Sequence, residues 1–237
     1  MIRFLKRCAK RFLDAAVVPL FHYVAHGVPA TTVIRELERR TSEECALYVE
    51  ARMPRALQFE HRKDLWDHAV RVSGTSGLFA EFGVWKGRSI NHIAGRIKPS
   101  TIYGFDSFEG LQEDWAGWKE TKGAFGLKGK PPGVEPNVRL VTGRFEDTLP
   151  GFLSQNPLAF SFIHIDCDTH EAARTVLDLV GPRIQVGTVL VFDEYFGYRG
   201  WKIGEYAAWQ DFVRKHGVGY EYLAYSTQPV SLRVTSI

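Results

Sequence analysis

The chain has 237 residues, 45% of them hydrophobic and 24% charged, with a formal net charge of +3. Those values fit one globular domain, or one with a small appendage, and exclude wholesale disorder, a collagen-like fibre and a multi-span membrane protein. The charge is too mild to argue for nucleic acid, and Cys8, Cys45 and Cys167 lack the spacing of a zinc site or disulfide framework, so a reducing compartment, the cytoplasm, is expected.

Five of the first eleven residues are basic, Arg3, Lys6, Arg7, Lys10 and Arg11, and an apolar patch follows from Phe12 to Val24. This imitates a secretory signal, but Asp14, Pro19 and His22 interrupt the patch and no small-x-small cleavage site stands out. The uncharged stretch from Ala15 to Ile34 contains Pro19, Gly27 and Pro29, which make it a poor membrane span. The expectation is an amphipathic helix that packs on its own domain or on a partner subunit, the latter giving a homodimer. The basic residues also suit peripheral contact with an anionic membrane. From Thr32 to Arg71 the leucines Leu37, Leu47, Leu57 and Leu65 lie among charges, a helical pattern broken at Pro54. Residues 1–74 are read as an N-terminal helical extension and 75–237 as the main domain.

After Gly77 the rhythm changes. Short β-rich runs occur at Leu78–Val84, Thr101–Asp106, Val138–Thr142, Phe160–Asp166 and Thr188–Phe192. Between them lie segments of helix length, Arg88–Ile97, Glu146–Asn156 and Glu171–Val180. Apolar runs alternating with helices predict a parallel sheet covered on both faces. A helix over Gly204–His216 and strands near Tyr222–Tyr225 and Val230–Val234 complete it, the link at Thr227–Pro229 making the last strand antiparallel to its neighbour. The predicted fold is an α/β, open, doubly wound, Rossmann-like sheet. Ligands of such sheets bind beyond the carboxyl ends of the strands.

The first of these strands ends in AEFGVWKGRS and the second in IYGFDSFEGL. Gly83 allows close approach of backbone and ligand, and the following helix start offers free N–H groups. Asp106 can accept hydrogen bonds from both hydroxyls of a ribose. Together they point to an adenosine-containing cofactor. A diphosphate would need GxGxxG or GxxxxGK[ST]; here the spacing is GxxxG, followed by Arg88. A cofactor with an amine rather than phosphates fits better, and S-adenosylmethionine is one.

The strings AEFGVWKGRS, YGFDSFEGL, VTGRFEDTLP, FIHIDCD and TVLVFDEY, in that order, resemble the macrocin O-methyltransferase family over roughly residues 75–235. These are class I S-adenosylmethionine-dependent methyltransferases of sugar hydroxyls. The resemblance implies that Glu81 and Gly83 border the methionine part of the cofactor with Ser89 nearby, that Asp106 and Ser107 hold the ribose, and that Gly143 and Phe145 frame the adenine. Structural alternatives are a plain turn at GxxxG and ordinary core packing for Phe145.

Asp166, Asp168, Asp193 and Glu194 follow two strands that end on one side of the sheet. Adjacent strands lie about 4.8 Å apart, so these acids converge and repel unless protons or a cation sit among them. An all-oxygen cluster favours a hard divalent ion, magnesium above all. The resemblance implies Asp166, Asp193 and Glu194 as ligands. The chain departs from that pattern in its Asp-Glu pair, where Asp-Asp is usual, and in His170, where tyrosine is common. The alternative is that Asp168 caps the helix near Glu171 and the others rim a wet cleft.

His164 shares a strand face with Asp166 and reads as buried and hydrogen-bonded. His170, nearer the strand mouth, can serve as a base, although Asp166 is the first choice as proton acceptor. Gln112–Asn137, with Trp115, Trp118 and Phe125, is long for a connection and reads as a lid over the acceptor or as a subunit contact. Tyr195–Trp201 is a second candidate for acceptor contact. The predicted activity is O-methylation of a sugar, a glycan or another small molecule such as a catechol-like ring. The competing readings are a nicotinamide-dependent oxidoreductase or epimerase, which lacks its GxGxxG, and a noncatalytic partner protein.

Overall fold

The computed structural model describes residues 32–237. The basic N-terminal residues, the apolar patch and Cys8 lie outside them, and with them the expectations of membrane contact and of a helical subunit contact there. Among the described residues, no helix is long and apolar enough to cross a membrane. The chain divides into two compact units, Met1–Glu44 and Cys45–Ile237; the boundary drawn from sequence at 74 falls inside the second.

The described part of the first unit is the start of helix α1 (Val33–Arg52), where Arg39 bridges Glu36 and Glu43 at 3.0 Å on an exposed face. In the second unit, β1 (Leu57–Gln58) and α2 (Arg62–Val72) come first. There follow β2 (Leu78–Phe82), α3 (Arg88–Arg96), β3 (Ile102–Asp106), β4 (Val138–Thr142) and α4 (Phe145–Gln155). The rest is β5 (Phe160–Ile165), α5 (His170–Val180), β6 (Val189–Phe192), α6 (Glu205–His216), β7 (Gly219–Tyr225) and β8 (Val230–Ser236).

These strands form one eight-stranded sheet in the order β1-β7-β8-β6-β5-β2-β3-β4. β8 runs antiparallel to both β6 and β7; the other pairings are parallel. This is the predicted doubly wound fold. One element differs: Leu57, counted as helical from its neighbours, lies in β1 and pairs with Ala224 of β7. Pro54 ends the helical run as expected, and the chain then extends along the sheet edge.

The central strands β2, β5 and β6 are buried along their whole length, which explains their near-continuous apolar sequence. Their alternate residues feed two cores. Phe79, Phe162, Val189 and Val191 join Leu65, Trp66, Ile90 and Ile93 of α2 and α3 on one face. Phe82, Ile163, Leu190 and Phe192 join Leu149, Val176, Leu177 and Trp209 of α4, α5 and α6 on the other. In α5 the buried Ala173, Val176, Leu177 and Val180 follow the i, i+3, i+4, i+7 stripe of a one-sided helix. Strand order reverses between β2 and β5, leaving a crevice at their carboxyl ends.

Candidate active site

A cavity of about 840 Å³ occupies that crevice. Of the residues singled out from sequence, Gly83, Ser89, Asp106, Ser107, Gly143 and Phe145 line one half of it, and Asp166 and Glu194 line the other. Glu81 and Asp193 are fully buried and do not line it.

In the first half, the loop after β2 is set by two glycines. Gly83 has φ +89°, and a Cβ there would overlap the carbonyl of Asp166. Its lack of a side chain is thus required by the approach of the next strand as much as by any ligand. Gly87, φ +74°, caps α3 in the left-handed region. Asp106 ties this loop to its own. Its Oδ2 accepts the N–H of Val84 and of Trp85, each at 2.8 Å, and its Oδ1 accepts that of Phe108 at 2.7 Å. A carboxylate has about four lone-pair sites, so one remains open, on Oδ1, where the sequence reading had Asp106 receive two ribose hydroxyls. The Ser107 hydroxyl accepts the N–H of Glu109 at 3.2 Å. Gly143, φ +142°, leads into α4, and Phe145 packs edge-on to Phe82 with centroids 5.8 Å apart.

Beneath the floor lies a row of buried charges. Ser89 donates to Glu81 Oε1 at 2.9 Å, and Glu81 Oε2 lies 2.8 Å from Nδ1 of His164. Nε2 of His164 makes an ion-pair contact of 3.4 Å with Asp193 Oδ1, which also accepts the Trp66 indole N–H at 3.2 Å. Arg62 of α2 pairs with Asp193 Oδ2. Burial opposes the charge on His164, but Asp193 and Glu81 outweigh it and raise its pKa well above 6.5. Burial likewise opposes the charge on Asp193, and His164 and Arg62 nevertheless hold it below the usual carboxylate range. Asp193, expected as a metal ligand, is therefore already partnered by Arg62, Trp66 and His164. His164 is buried and hydrogen-bonded as predicted.

The second half holds the acids. Carboxylate oxygens of Asp166, Asp168 and Glu194 come within 4.8 Å of one another; a second trio, His164, Asp166 and Asp193, meets the same limit. Burial first, and then the neighbouring carboxylates, push Asp166, Asp168 and Glu194 well above their ordinary pKa values. Oε2 of Glu194 is buried without a hydrogen-bond partner. Buried polar atoms are rarely left so, and an oxygen-only set with one orphaned carboxylate atom fits a hard divalent ion.

Glu205, at the first position of α6, builds this cluster from behind. Its Oε1 accepts the N–H groups of Cys167 and Asp168 at 3.2 Å, and its Oε2 accepts that of Glu194 at 3.1 Å. Burial and the charge of Asp166 push it up to about 8. Sequence reasoning missed it because an acid in the first turn of a helix reads as an ordinary complement to the helix dipole. Asp168, φ +68°, does not cap α5; Thr169 does, accepting the N–H of Ala172. His170 contacts Glu171 and Asp211 and does not line the cavity.

Gly110, Leu111, Gln112, Trp115 and Phe125 form the outer wall. Trp115 is buried, 5.2 Å from Trp118 and 6.0 Å from Tyr198 between ring centroids. A Cβ on Gly117 would overlap the Arg199 carbonyl. The two segments picked as acceptor contacts, around 112–137 and 195–201, thus pack against each other.

Residues 80–195 match the family model of a methyltransferase domain. No curated protein sequence matches the chain. Among solved structures, the calicheamicin methyltransferase CalS11 is 22% identical and aligns over 87% of this chain and 94% of its own, with a TM-score of 0.57. The O-methyltransferase NovP is 21% identical over 73% of this chain and 79% of its own, TM-score 0.54. The O-methyltransferase from Bacillus cereus, in complex with SAH, is 14% identical over the whole of both chains, TM-score 0.50. These likenesses establish a shared fold. The stretch 80–195, which carries both the Gly83–Asp106 loops and the acidic cluster, is a methyltransferase domain.

Proposed function

We propose that the chain is an S-adenosylmethionine-dependent O-methyltransferase of the macrocin type, acting on a hydroxyl of a sugar or another small-molecule or glycan acceptor. We place a divalent cation, magnesium by preference, at Asp166, Asp168 and Glu194. The observation that carries this reading is that one cavity joins two unlike halves: a glycine-bordered half suited to a nucleoside, and a crowded carboxylate half with an unpartnered Glu194 oxygen. The neighbouring folds support it, since NovP is an O-methyltransferase and CalS11 is a TDP-rhamnose 3′-O-methyltransferase. Nothing in the comparisons favours the nicotinamide alternative.

Of the three ligands implied by resemblance, Asp166 and Glu194 stay in the set. Asp193 stands behind them, held by Arg62, and Asp168 takes its place. The volume of the cavity falls in the ~300–1,000 Å³ range of small-molecule sites. Asp106 Oδ1 offers one acceptor position to a ribose hydroxyl, and Phe145 offers an apolar wall to a purine. A bound cation would keep the three carboxylates ionised and lower the pKa of an acceptor hydroxyl. The acidic half then orients the acceptor oxygen toward the donor half, and the Asp166 carboxylate takes the hydroxyl proton. The wall of Trp115 and Phe125 keeps water from that line.

Calorimetric titration tests this directly. SAH should bind, NAD should not, and magnesium should bind saturably in wild type but not in Glu194→Gln. Binding of NAD in place of SAH, or magnesium affinity untouched by Glu194→Gln, would contradict the respective half of the assignment.

A further inference from the structure

A second cavity, of about 440 Å³, lies between the end of α1, α6 and β7, away from the strand switch point. Tyr48, Tyr206, Tyr220 and Tyr222 line it, with Arg52 and Arg55. Neither methyl transfer nor the acidic cluster uses any of them.

Four tyrosine hydroxyls and one amide meet in this region. The Tyr222 hydroxyl lies 2.6 Å from that of Tyr48, 2.6 Å from that of Tyr195 and 3.2 Å from that of Tyr220. Gln210 Nε2 donates to Tyr195 at 3.3 Å and to Tyr220 at 3.0 Å. Burial raises the pKa of Tyr48, Tyr195 and Tyr222, so each keeps its proton. With Gln210 as donor to two of them, the three tyrosine–tyrosine contacts use three protons, and the four tyrosines bring four. One donor is left over. Tyr195 is fully buried and does not line the cavity. A surplus O–H there would be an unmet buried donor, so the surplus belongs to a tyrosine that faces the cavity.

Arg52 and Arg55 add guanidinium groups, which donate and never accept. Neither has an ion pair or hydrogen bond among the described residues. The one acid of the lining, Glu221, is paired with Arg233 at 3.2 Å. The cavity therefore offers two fixed positive charges and a spare hydroxyl donor, with its carboxylate already neutralised. Such a donor set calls for an oxyanion.

We propose that this cavity binds a phosphate-bearing small molecule, with the phosphate held by Arg52, Arg55 and a tyrosine hydroxyl and the remainder lying against the tyrosine rings. The site stands apart from the methyl-transfer reading and does not depend on it.

The test is calorimetric titration of the full chain with inorganic phosphate in a chloride buffer. Lys63 and Arg88 line the first cavity and are exposed, so a second pair of variants tells the two places apart. Wild type should bind saturably. Arg52→Ala with Arg55→Ala should weaken binding about tenfold or more, and Tyr48→Phe by a smaller factor of about three, whereas Lys63→Ala with Arg88→Ala should stay within about twofold of wild type. No saturable binding in wild type overturns the proposal. So does loss only in the Lys63/Arg88 pair, which would put the phosphate in the first cavity. Should the double arginine variant fail to fold by circular dichroism, Tyr48→Phe decides, and wild-type affinity in it also overturns the proposal.

Discussion

Asp106 ends β3 and Asp166 follows β5, with β2 alone between those strands, yet the two carboxylates live in opposite settings. Asp106 accepts three backbone N–H groups and so acts as a clamp between loops. Asp166 is half-buried at the cavity wall and faces Asp193, Asp168 and Glu81, and desolvation followed by those charges raises its pKa well above 3.8. In the first half of the cavity the protein itself answers the charge. In the second it gathers more charge of the same sign than its own groups answer. Where amide donors suffice, the site is complete as folded; where they do not, a cation or a set of protons must complete it.

The two halves touch at Gly83, and breaking that contact should have the largest effect. Gly83→Ala must place a Cβ against the Asp166 carbonyl and hold an L-residue at φ +89°. We expect a loss of more than about 3 kcal/mol, read from the urea midpoint. A loss below about 1 kcal/mol would show that the two loops are not closely seated. Next comes Glu205, which holds the acidic loops only. Glu205→Ala frees three buried N–H groups and should cost on the order of 2–4 kcal/mol. Glu205→Gln keeps one acceptor oxygen and sheds repulsion, although its NH₂ then meets the remaining N–H, so it should cost less than the alanine variant. SAH affinity should move by no more than about twofold in that glutamine variant; a larger loss would mean the halves are not separately built.

The sheet was legible because its central strands are covered on both faces. Leu78–Phe82, Phe160–Ile165 and Val189–Phe192 are mainly apolar runs, interrupted only by Glu81, Ser161 and His164, that no surface element could afford. β1 was illegible: two exposed residues carry no period, and only pairing with β7 makes them a strand. The site was readable to the extent that it sits at strand ends. Gly83, Asp166 and Glu194 follow strands, Asp106 ends one, and all four line the cavity. What could not be read was which acids the protein satisfies internally. Arg62 reaches Asp193 across 131 residues of sequence, from a helix that sequence assigns to an extension. Glu205 recruits backbone amides, which every sequence has and none displays.

The pH dependence sharpens the same comparison. Glu205 ionises near 8 in the fold against an ordinary 4.5, and Asp166, Asp168 and Glu194 shift the same way. Across roughly pH 5 to 8 the folded state then binds more protons than the unfolded chain, so stability falls as pH rises. His164, raised above 6.5, adds the same sign from that pH upward; Asp193, lowered, opposes it only below the usual carboxylate range. After exhaustive EDTA treatment, unfolding free energy should drop by on the order of 2 kcal/mol from pH 5 to pH 8, and millimolar magnesium should flatten the slope. A slope of the opposite sign in EDTA would mean the acids are compensated within the fold.

The smallest effects lie in the half that is complete as folded, and they separate the residues that can meet a ligand from those that only line its place. Asp106→Asn keeps one oxygen but sets an NH₂ against loop N–H groups, so SAH affinity should fall by about tenfold. Ser89 lines the cavity too, but its hydroxyl donates to Glu81 below the floor. Ser89→Ala should therefore leave SAH affinity within about twofold of wild type while costing about 1 kcal/mol of stability, since a buried Glu81 oxygen loses its donor. If instead Ser89→Ala weakened SAH as much as Asp106→Asn does, the serine would have to turn away from Glu81 on binding, and the buried charge row would be coupled to the ligand.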